Sequence, residues 1–366
     1  MKYKTLAVLT ALCFSACSRG EPSESELVLG TVCTIQLYEY GKKPIYQKIF
    51  NRFHAIEDTM SANKSGTELE RINANAGIAP VTVSSDLFSL IETALFYAEL
   101  SHGAFDPTVG PLVKLWNIGF DPPQIPLYER TDLPIPETSS YSRIPTQAAI
   151  DAALSLVDYR QVQLDPEQSS VFLLRAGMGL DLGAIAKGYA ADEAVRILFE
   201  AAIPRAIINL GGNVFAFGIK KDRSPWRIGI QDPRFARDSG IERDIVGYVE
   251  VHNATLVTSG VYERFFEEDG VHYHHILSPK DGYPARTGLL SVTVITDSST
   301  VADVLSTAVF VLGYDKGRAL IESLDGVEAL FIFEDMHIEA TRGAFTQFHL
   351  TNDSFELTDS IEFLSE

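Results

Sequence analysis

The sequence predicts an α+β fold, built as a single compact domain with a mixed, largely antiparallel sheet and packed helices. Strand-like runs follow one another through the second half of the chain, whereas helical patterns are few. The regular strand–helix alternation of a parallel α/β fold is therefore missing. The chain has 366 residues and is 46% hydrophobic, which is enough to build a buried core. We place this domain at residues 27–360.

The first elements of the domain are predicted from periodicity. Residues 27–38 alternate between apolar and polar side chains, as a half-buried strand does. A helix begins at Pro44, because apolar side chains then recur at spacings of three and four as far as Met60. Further helices are expected from Ser85, as the cap, to about Gly103, and at 185–203.

The later chain is richest in strands. The predicted strands lie at 206–218, 226–231, 246–257, 272–277, 290–296 and 327–333. A last well-marked helix begins near Ser298 and ends near Leu312. One irregular segment, 121–145, carries six of the 17 prolines and is predicted to be a surface insertion.

The N-terminus has the composition of a bacterial export signal. Two lysines precede a short apolar run, and small residues then lead to Cys17. The run is too short to span a bilayer, so we interpret 1–16 as a signal peptide and Cys17 as a lipidated residue. The alternative is a cleaved signal with an incidental cysteine. Residues 17–26 would form a polar tether that holds the domain on the periplasmic side of the bacterial inner membrane.

Charge and cysteine content exclude several classes. Only Cys33 remains after processing and lipidation, so no internal disulfide is expected. Loss of the two lysines of the signal peptide takes the net charge from −19 to −21. Such an acidic surface repels nucleic acid and anionic lipid, so attachment to the membrane is expected through acyl chains.

The segment DLGAIAKGYAADEAV at 181–195 is predicted to bind an anion. A strand ending at Leu182 would lead through two glycines into a helix, whose first backbone N–H groups and Lys187 suit phosphate. Neither GxxxxGK[ST] nor GxGxxG occurs in the chain. The alternative is an ordinary turn whose glycines serve packing.

Asp303 and Thr307 are spaced to share one face of the last predicted helix. A carboxylate and a hydroxyl there offer hard oxygen ligands of the kind that Mg2+ prefers. The alternative is an Asp–Thr contact on a solvated face, which the small apolar neighbours of Asp303 make less natural.

Two further segments carry polar groups next to turns. In VHYHHILSPKDGYPA at 271–285, His275 lies just before a turn and could act as a general base. Adjacent strand histidines are otherwise surface or core residues, and no zinc motif is present. In TSGVYERFF at 258–266, Gly260 and Tyr262 could approach a planar ligand or form a plain bulge. Asp106, in GAFDPTVGPLVKLW, could accept from an exocyclic amine.

Taken in order, these segments resemble the ApbE-type flavin transferases, the FAD:protein FMN transferases. The resemblance runs over nearly the whole mature chain, through GTVCTIQL, MSANKSGTELERIN, GAFDPTVGPLVKLW, DLGAIAKGYAAD, INLGGNVFAFG, TSGVYERFF, HHILSPKDGYPA, SVTVI and ADVLSTAVFVLG. It implies a Mg2+-dependent reaction that splits the FAD pyrophosphate, transfers FMN to a Thr or Ser of a target protein and releases AMP. The acceptors would be flavoprotein subunits of redox complexes.

The resemblance also implies roles for particular residues. Asp303, Thr307 and the carbonyl of Ala184 would bind Mg2+, and either His275 or Asp303 would take the proton. The expected FAD-binding residues are Asn63, Asn73, Asp106, Lys187, Gly260, Tyr262 and His275.

One departure from the family pattern suggests a second activity. Many members have a tyrosine in FSxY, where this chain has Asn63. Loss of that ring would hold the nucleotide less tightly and admit water, so hydrolysis of FAD to FMN and AMP is also expected. Competing hypotheses are a lipoprotein that binds flavin without turnover and a structural surface antigen.

Overall fold

The computed structural model describes residues 23–38, 43–119, 143–235 and 245–358. The predicted signal peptide, Cys17 and residues 121–142 of the predicted insertion lie outside these ranges. Within the described part of the chain, no helix is long and apolar enough to cross a bilayer.

The described helices are α1 (Lys43–Met60), α2 (Glu68–Ala74), α3 (Ser85–Leu100), α4 (Gly110–Trp116), α5 (Gln147–Leu154), α6 (Ala186–Glu200), α7 (Ser299–Leu312), α8 (Tyr314–Glu322) and α9 (Arg342–Gln347). The described strands are β1 (Ser23–Val28), β2 (Thr31–Leu37), β3 (Val81–Thr82), β4 (Val162–Asp165), β5 (Ser170–Leu173), β6 (Arg205–Leu210), β7 (Asn213–Gly218), β8 (Trp226–Gln231), β9 (Ile245–Val251), β10 (Ala254–Gly260), β11 (Phe265–Glu268), β12 (Val271–His274), β13 (Leu289–Thr296), β14 (Glu328–Phe333), β15 (His337–Ala340), β16 (Phe348–Leu350) and β17 (Glu356–Thr358).

A large sheet organises the fold. Nine strands lie in the order β1-β2-β6-β7-β10-β13-β14-β15-β17. The neighbouring pairs are antiparallel, except that β15 and β17 run parallel. Two smaller sheets have the orders β16-β9-β8 and β3-β5-β4, and β11 pairs with β12. The predicted α+β fold with a largely antiparallel sheet is confirmed.

Different layers pack against the inner strands of the large sheet. Core side chains of β2 and β6 pack with those of α1 and α6, including Phe53 and Ile208, which are fully buried. Helices α7 and α8 cover β13 and β14. Apolar side chains of β8 and β9, among them Val249, pack with side chains of β14 and β15. These layers bring the N-terminus of α6 against α7, which also packs against β10.

Several predicted strand boundaries were wrong because turns interrupt them. The run 206–218 is two strands, β6 and β7, joined at Gly211 and Gly212, whose φ angles are 60° and 93°. The run 246–257 likewise divides at Asn253, with φ 46°. Positive φ at these residues reverses the chain, and the apolar pattern continues through such a turn unchanged.

The predicted tether, 17–26, extends into the first strand. Residues 23–26 belong to β1 and pair with β2, and Ser25 Oγ lies 2.8 Å from Thr34 Oγ1. Backbone pairing to β2 accepts polar side chains that face solvent, so the polar composition of 17–26 did not reveal this strand.

The predicted helices are confirmed with small shifts. The side chain of Ser84, one residue before the predicted cap, accepts from Leu87 N at 3.4 Å and caps α3. Ser298 caps α7 as predicted, and the helix ends at Leu312. No strand ends at Leu182, which lies in a turn that leads into α6.

Candidate active site

A cavity of about 970 Å³ opens beside the β1–β2 turn. Its walls come from the C-terminal end of α1, the segment 104–118, the turn before α6, the β6–β7 turn, the end of β10, the loop after β12, and α7. Six of these pieces carry residues that the sequence predicts to bind a ligand. Seven of the predicted site residues line the cavity: Asn63, Asp106, Ala184, Lys187, His275, Asp303 and Thr307.

Asp303 is a buried carboxylate, only 3% exposed, that contacts two groups from the start of α6. Its Oδ1 lies 3.3 Å from the Lys187 ammonium, and its Oδ2 accepts from the backbone N–H of Gly188 at 2.9 Å. Lys187 Nζ also donates to the carbonyl of Gly183 at 3.1 Å. The N-terminus of α6 thus contacts a carboxylate of α7, and binding of a phosphate at this corner stays a prediction.

The oxygen atoms in this corner fit Mg2+. Asp303, Thr307 and Ala184 supply a carboxylate, a hydroxyl and a backbone carbonyl to the same cavity, and hard oxygen donors of this kind suit the ion. The Lys187 ammonium already places a positive charge next to the Asp303 carboxylate and the backbone carbonyl of Gly183. Within the described residues, no three His, Cys, Asp or Glu side chains are grouped as candidate metal ligands.

His275 lies in the loop that follows β12 and lines the cavity. Its backbone N–H donates to the carbonyl of Arg264 at 3.0 Å, and its ring Nδ1 lies 3.3 Å from the same oxygen. Burial, followed by the Arg264 charge, lowers the pKa of His275 to about 3. Because a carbonyl only accepts, Nδ1 carries the hydrogen in the neutral ring and Nε2 is left as the proton acceptor.

Several charged residues of the cavity were not predicted as site residues, among them Arg264 and Asp181. Arg264 donates to the carbonyl of Gly30 at 3.3 Å, which joins the β10–β11 connection to the β1–β2 turn. Asp181 Oδ1 accepts from Gly183 N at 2.8 Å, and burial raises its pKa. Arg264 lies in the segment 258–266 and Asp181 in the segment 181–195, where the sequence pattern points instead to Tyr262 and Lys187.

Asp106 lines the cavity, yet its carboxylate is occupied by internal hydrogen bonds. Oδ1 accepts from the backbone N–H and the hydroxyl of Thr108 at 2.8 and 2.6 Å, and Oδ2 accepts from Tyr159 N at 3.0 Å. Burial raises the pKa of this carboxyl above its usual range. These contacts show that Asp106 shapes the loop on this side of the cavity.

Asn73, Gly260 and Tyr262 are outside the lining of the cavity. The Asn73 amide makes two hydrogen bonds to the backbone of Leu180, donating to its oxygen at 2.9 Å and accepting from its nitrogen at 2.7 Å. Tyr262 is 5% exposed, and a Cβ on Gly260 would lie 2.5 Å from its ring. These residues support the walls of the cavity and leave no gap for a planar ligand between them.

Asn63 lies at the mouth of the cavity, just after α1, and its side chain is exposed. Its backbone N–H donates to Ser61 Oγ at 3.2 Å. A small polar side chain therefore stands at the entrance.

The chain is similar in sequence to one family of known proteins. Residues 29–331 match the model of the ApbE family. A FAD:protein FMN transferase of Treponema pallidum is 42% identical, over 92% of this chain and 91% of that protein. A FAD:protein FMN transferase of Klebsiella pneumoniae is 35% identical, over 92% of this chain and 97% of that protein.

Solved structures give the same result for the fold. The ApbE protein of Thermotoga maritima superposes with a TM-score of 0.76 at 32% identity, covering 90% of this chain and 99% of that chain. The flavin transferase ApbE of Vibrio cholerae gives 0.71 at 27% identity, covering 92% and 98%. Since the family match spans most of the chain and two relatives exceed 30% identity, the chain belongs to the ApbE family.

Proposed function

We propose that this protein is a Mg2+-dependent FAD:protein FMN transferase. The proposal rests on the buried Asp303 carboxylate, which lies 3.3 Å from the Lys187 ammonium. Both groups line the cavity that also contains the neutral His275. The relatives are named FAD:protein FMN transferases, which supports transfer of FMN from FAD to a protein. In the step that we propose, a Thr or Ser oxygen of the acceptor attacks the FMN phosphorus, the bond to the bridging oxygen breaks, and AMP leaves with that oxygen.

Asp303, Thr307 and the carbonyl of Ala184 would hold the Mg2+ ion. When bound, the ion offsets the negative charge that develops on the phosphate oxygens. The ammonium of Lys187 and the guanidinium of Arg264 line the same cavity, so both stabilise the pyrophosphate of FAD.

We assign the general base to His275. Both oxygens of Asp303 already accept contacts from α6, whereas Nε2 of His275 remains as an acceptor in the tautomer that Arg264 O selects. A bound dianionic pyrophosphate would raise the low pKa of this ring and make it a stronger base. The proton of the attacking hydroxyl would pass to Nε2.

Hydrolysis of FAD to FMN and AMP is proposed as a second activity. Exposed Asn63 at the mouth supports it, because a small polar side chain covers the nucleotide less than a ring and leaves room for water. In this branch water replaces the acceptor hydroxyl and loses its proton to the same base.

The sequence also supports a location for this reaction. We propose that Cys17 is lipidated and that the short polar segment after it holds the domain on the periplasmic side of the inner membrane. The acceptors would then be exported flavoproteins, including subunits of membrane redox complexes.

The first test is incubation of the protein with FAD, with Mg2+ or EDTA, and with or without a Thr-bearing acceptor. We expect AMP and an FMN-sized mass gain on the acceptor, both abolished by EDTA. AMP without acceptor would establish hydrolysis, and its absence would exclude that activity. FAD that stays bound and intact under all conditions would favour the flavin-binding lipoprotein.

A matched pair of variants separates catalysis from binding. Asp303→Asn keeps the shape of the side chain but removes the charge, so turnover should be lost while FAD remains bound. Asp192→Asn is the control, since Asp192 is a carboxylate that binds the start of α7 through Ser299 N at 2.8 Å and lies outside the cavity. It should lower stability and retain turnover. Equal turnover in wild type and Asp303→Asn would contradict the proposal.

The role of Asn63 is tested by substitutions at that position. Asn63→Tyr should slow acceptor-independent release of AMP, because a ring can stack on the nucleotide. Asn63→Leu adds bulk without a π face and should slow it less. Identical rates in all three proteins would show that Asn63 does not control access of water.

A further inference from the structure

Three hydroxyl groups beside the proposed cation site form a continuous chain of hydrogen bonds. Ser306 Oγ donates to the backbone carbonyl of Asp303 at 3.0 Å. Ser259 Oγ lies 2.9 Å from Ser306 Oγ and 3.3 Å from Thr307 Oγ1. Ser259 and Thr307 line the cavity, whereas Ser306 is fully buried behind them. The chain thus joins a buried residue of α7 to a cavity wall.

The number of hydrogens available determines which group is the donor in each of these hydrogen bonds. A hydroxyl has one hydrogen to donate, and a carbonyl can only accept. Ser306 uses its hydrogen on the Asp303 carbonyl, so Ser259 must donate to Ser306. Ser259 then has no hydrogen left, and Thr307 must donate to Ser259. The lone pairs of Thr307 Oγ1 are therefore free for a ligand other than Ser259.

We propose that Ser306 and Ser259 are positioning residues for a divalent cation at Thr307. They hold the Thr307 hydroxyl with its hydrogen turned toward β10, so that its lone pairs are available to the ion. This inference rests on the proposed metal-dependent function and adds two residues that do not contact the ion themselves. It assigns a role to the TSG segment that is distinct from contact with the flavin.

Removal of the Ser306 hydroxyl should reverse the chain. Ser259 would then be free to donate to Thr307, whose own hydrogen would turn away from Ser259. A hydroxyl that presents its hydrogen repels a cation, so binding of the ion should weaken although no ligand atom has been removed. Groups that orient metal ligands in this way typically change metal affinity by about 10- to 100-fold.

The test measures Mn2+ binding to the full chain in mild detergent, without FAD, by electron paramagnetic resonance. We expect Ser306→Ala and Ser259→Ala each to weaken binding about tenfold. Ser299→Ala is the matched control, because Ser299 is also fully buried on α7 and its hydroxyl lies 2.6 Å from Thr255 Oγ1 of β10. It lies outside the cavity and should bind Mn2+ as wild type does.

A double-mutant cycle gives the decisive readout. In a Thr307→Ala background, Ser306→Ala should cause no further loss of Mn2+ affinity, because the hydroxyl that it orients is gone. The proposal is overturned if Ser306→Ala and Ser259→Ala bind Mn2+ normally, if Ser299→Ala is equally weak, or if wild type binds none. If the wild type and the variants bind Mn2+ as expected but the wild type transfers no FMN, the proposed function is refuted and the positioning role of Ser306 and Ser259 is retained.

Discussion

Acid should destabilise this protein in part through the buried histidine His274, whose contribution a single substitution can isolate. The side chain is 4% exposed, and both ring nitrogens have partners in the neutral form. Nε2 lies 2.8 Å from the carbonyl of Ala285, and Nδ1 accepts from Ile276 N at 3.3 Å. A proton on Nδ1 would lose the second bond and place a charge in the core. Burial, with a smaller contribution from Ala285 in the opposite direction, lowers the pKa of His274 to about 4.

The sign and size of the effect follow from this pKa. An unfolded histidine has its ordinary pKa of about 6.5, so below that value the unfolded chain binds a proton that the folded chain excludes. The stability that His274 contributes is complete above pH 6.5 and is lost as the pH falls toward about 4. At 1.36 kcal/mol for each pKa unit, the loss amounts to about 3 kcal/mol.

The assay is urea unfolding of wild type and His274→Gln between pH 7.5 and about 4.5. Glutamine keeps a donor for Ala285 and does not titrate, so the difference in unfolding free energy between the two proteins should shrink with falling pH. Addition of 0.5 M NaCl should preserve this trend, because desolvation is the main cause and salt screens only charge–charge effects. Parallel pH curves for the two proteins would refute the reasoning.

Three further changes probe the walls of the cavity. Gly188→Ala should destabilise the fold by about 1–3 kcal/mol in urea unfolding and abolish turnover, because the added Cβ would lie 2.2 Å from Ser299 O. Lys187→Met should slow release of AMP from FAD but tighten Mn2+ binding without FAD, since Asp303 would lose its competing ammonium. Asn73→Leu should cost about 1–3 kcal/mol by freeing the backbone of Leu180, and unchanged stability would contradict that role.

Local patterns predicted the elements that carry much of the site. The spacing of Asp303 and Thr307 placed both on one helix, and α7 has both residues in the cavity wall. Lys187 was predicted because it lies between Gly183 and Gly188, where a turn leads into a helix. These features depend on neighbours within a few residues, so periodicity and composition are sufficient to find them.

Features that depend on tertiary contacts could not be predicted in this way. Arg264 reaches Gly30 across 234 residues of sequence, and nothing local to either residue indicates that contact. Asp106 was expected to face a ligand, but its acceptors are used by Thr108 and by Tyr159, which is 53 residues away.

The glycine-rich corner shows why packing and ligand binding need not be alternatives. Gly188 lacks a Cβ because α7 passes against it, and the same approach brings its N–H to Asp303 Oδ2. The positive end of the α6 dipole, that N–H and the Lys187 ammonium together stabilise a carboxylate that would otherwise be costly to bury. Close packing of the two helices therefore holds the Asp303 carboxylate at the wall of the cavity, 3.3 Å from the Lys187 ammonium, with which a bound cation would compete.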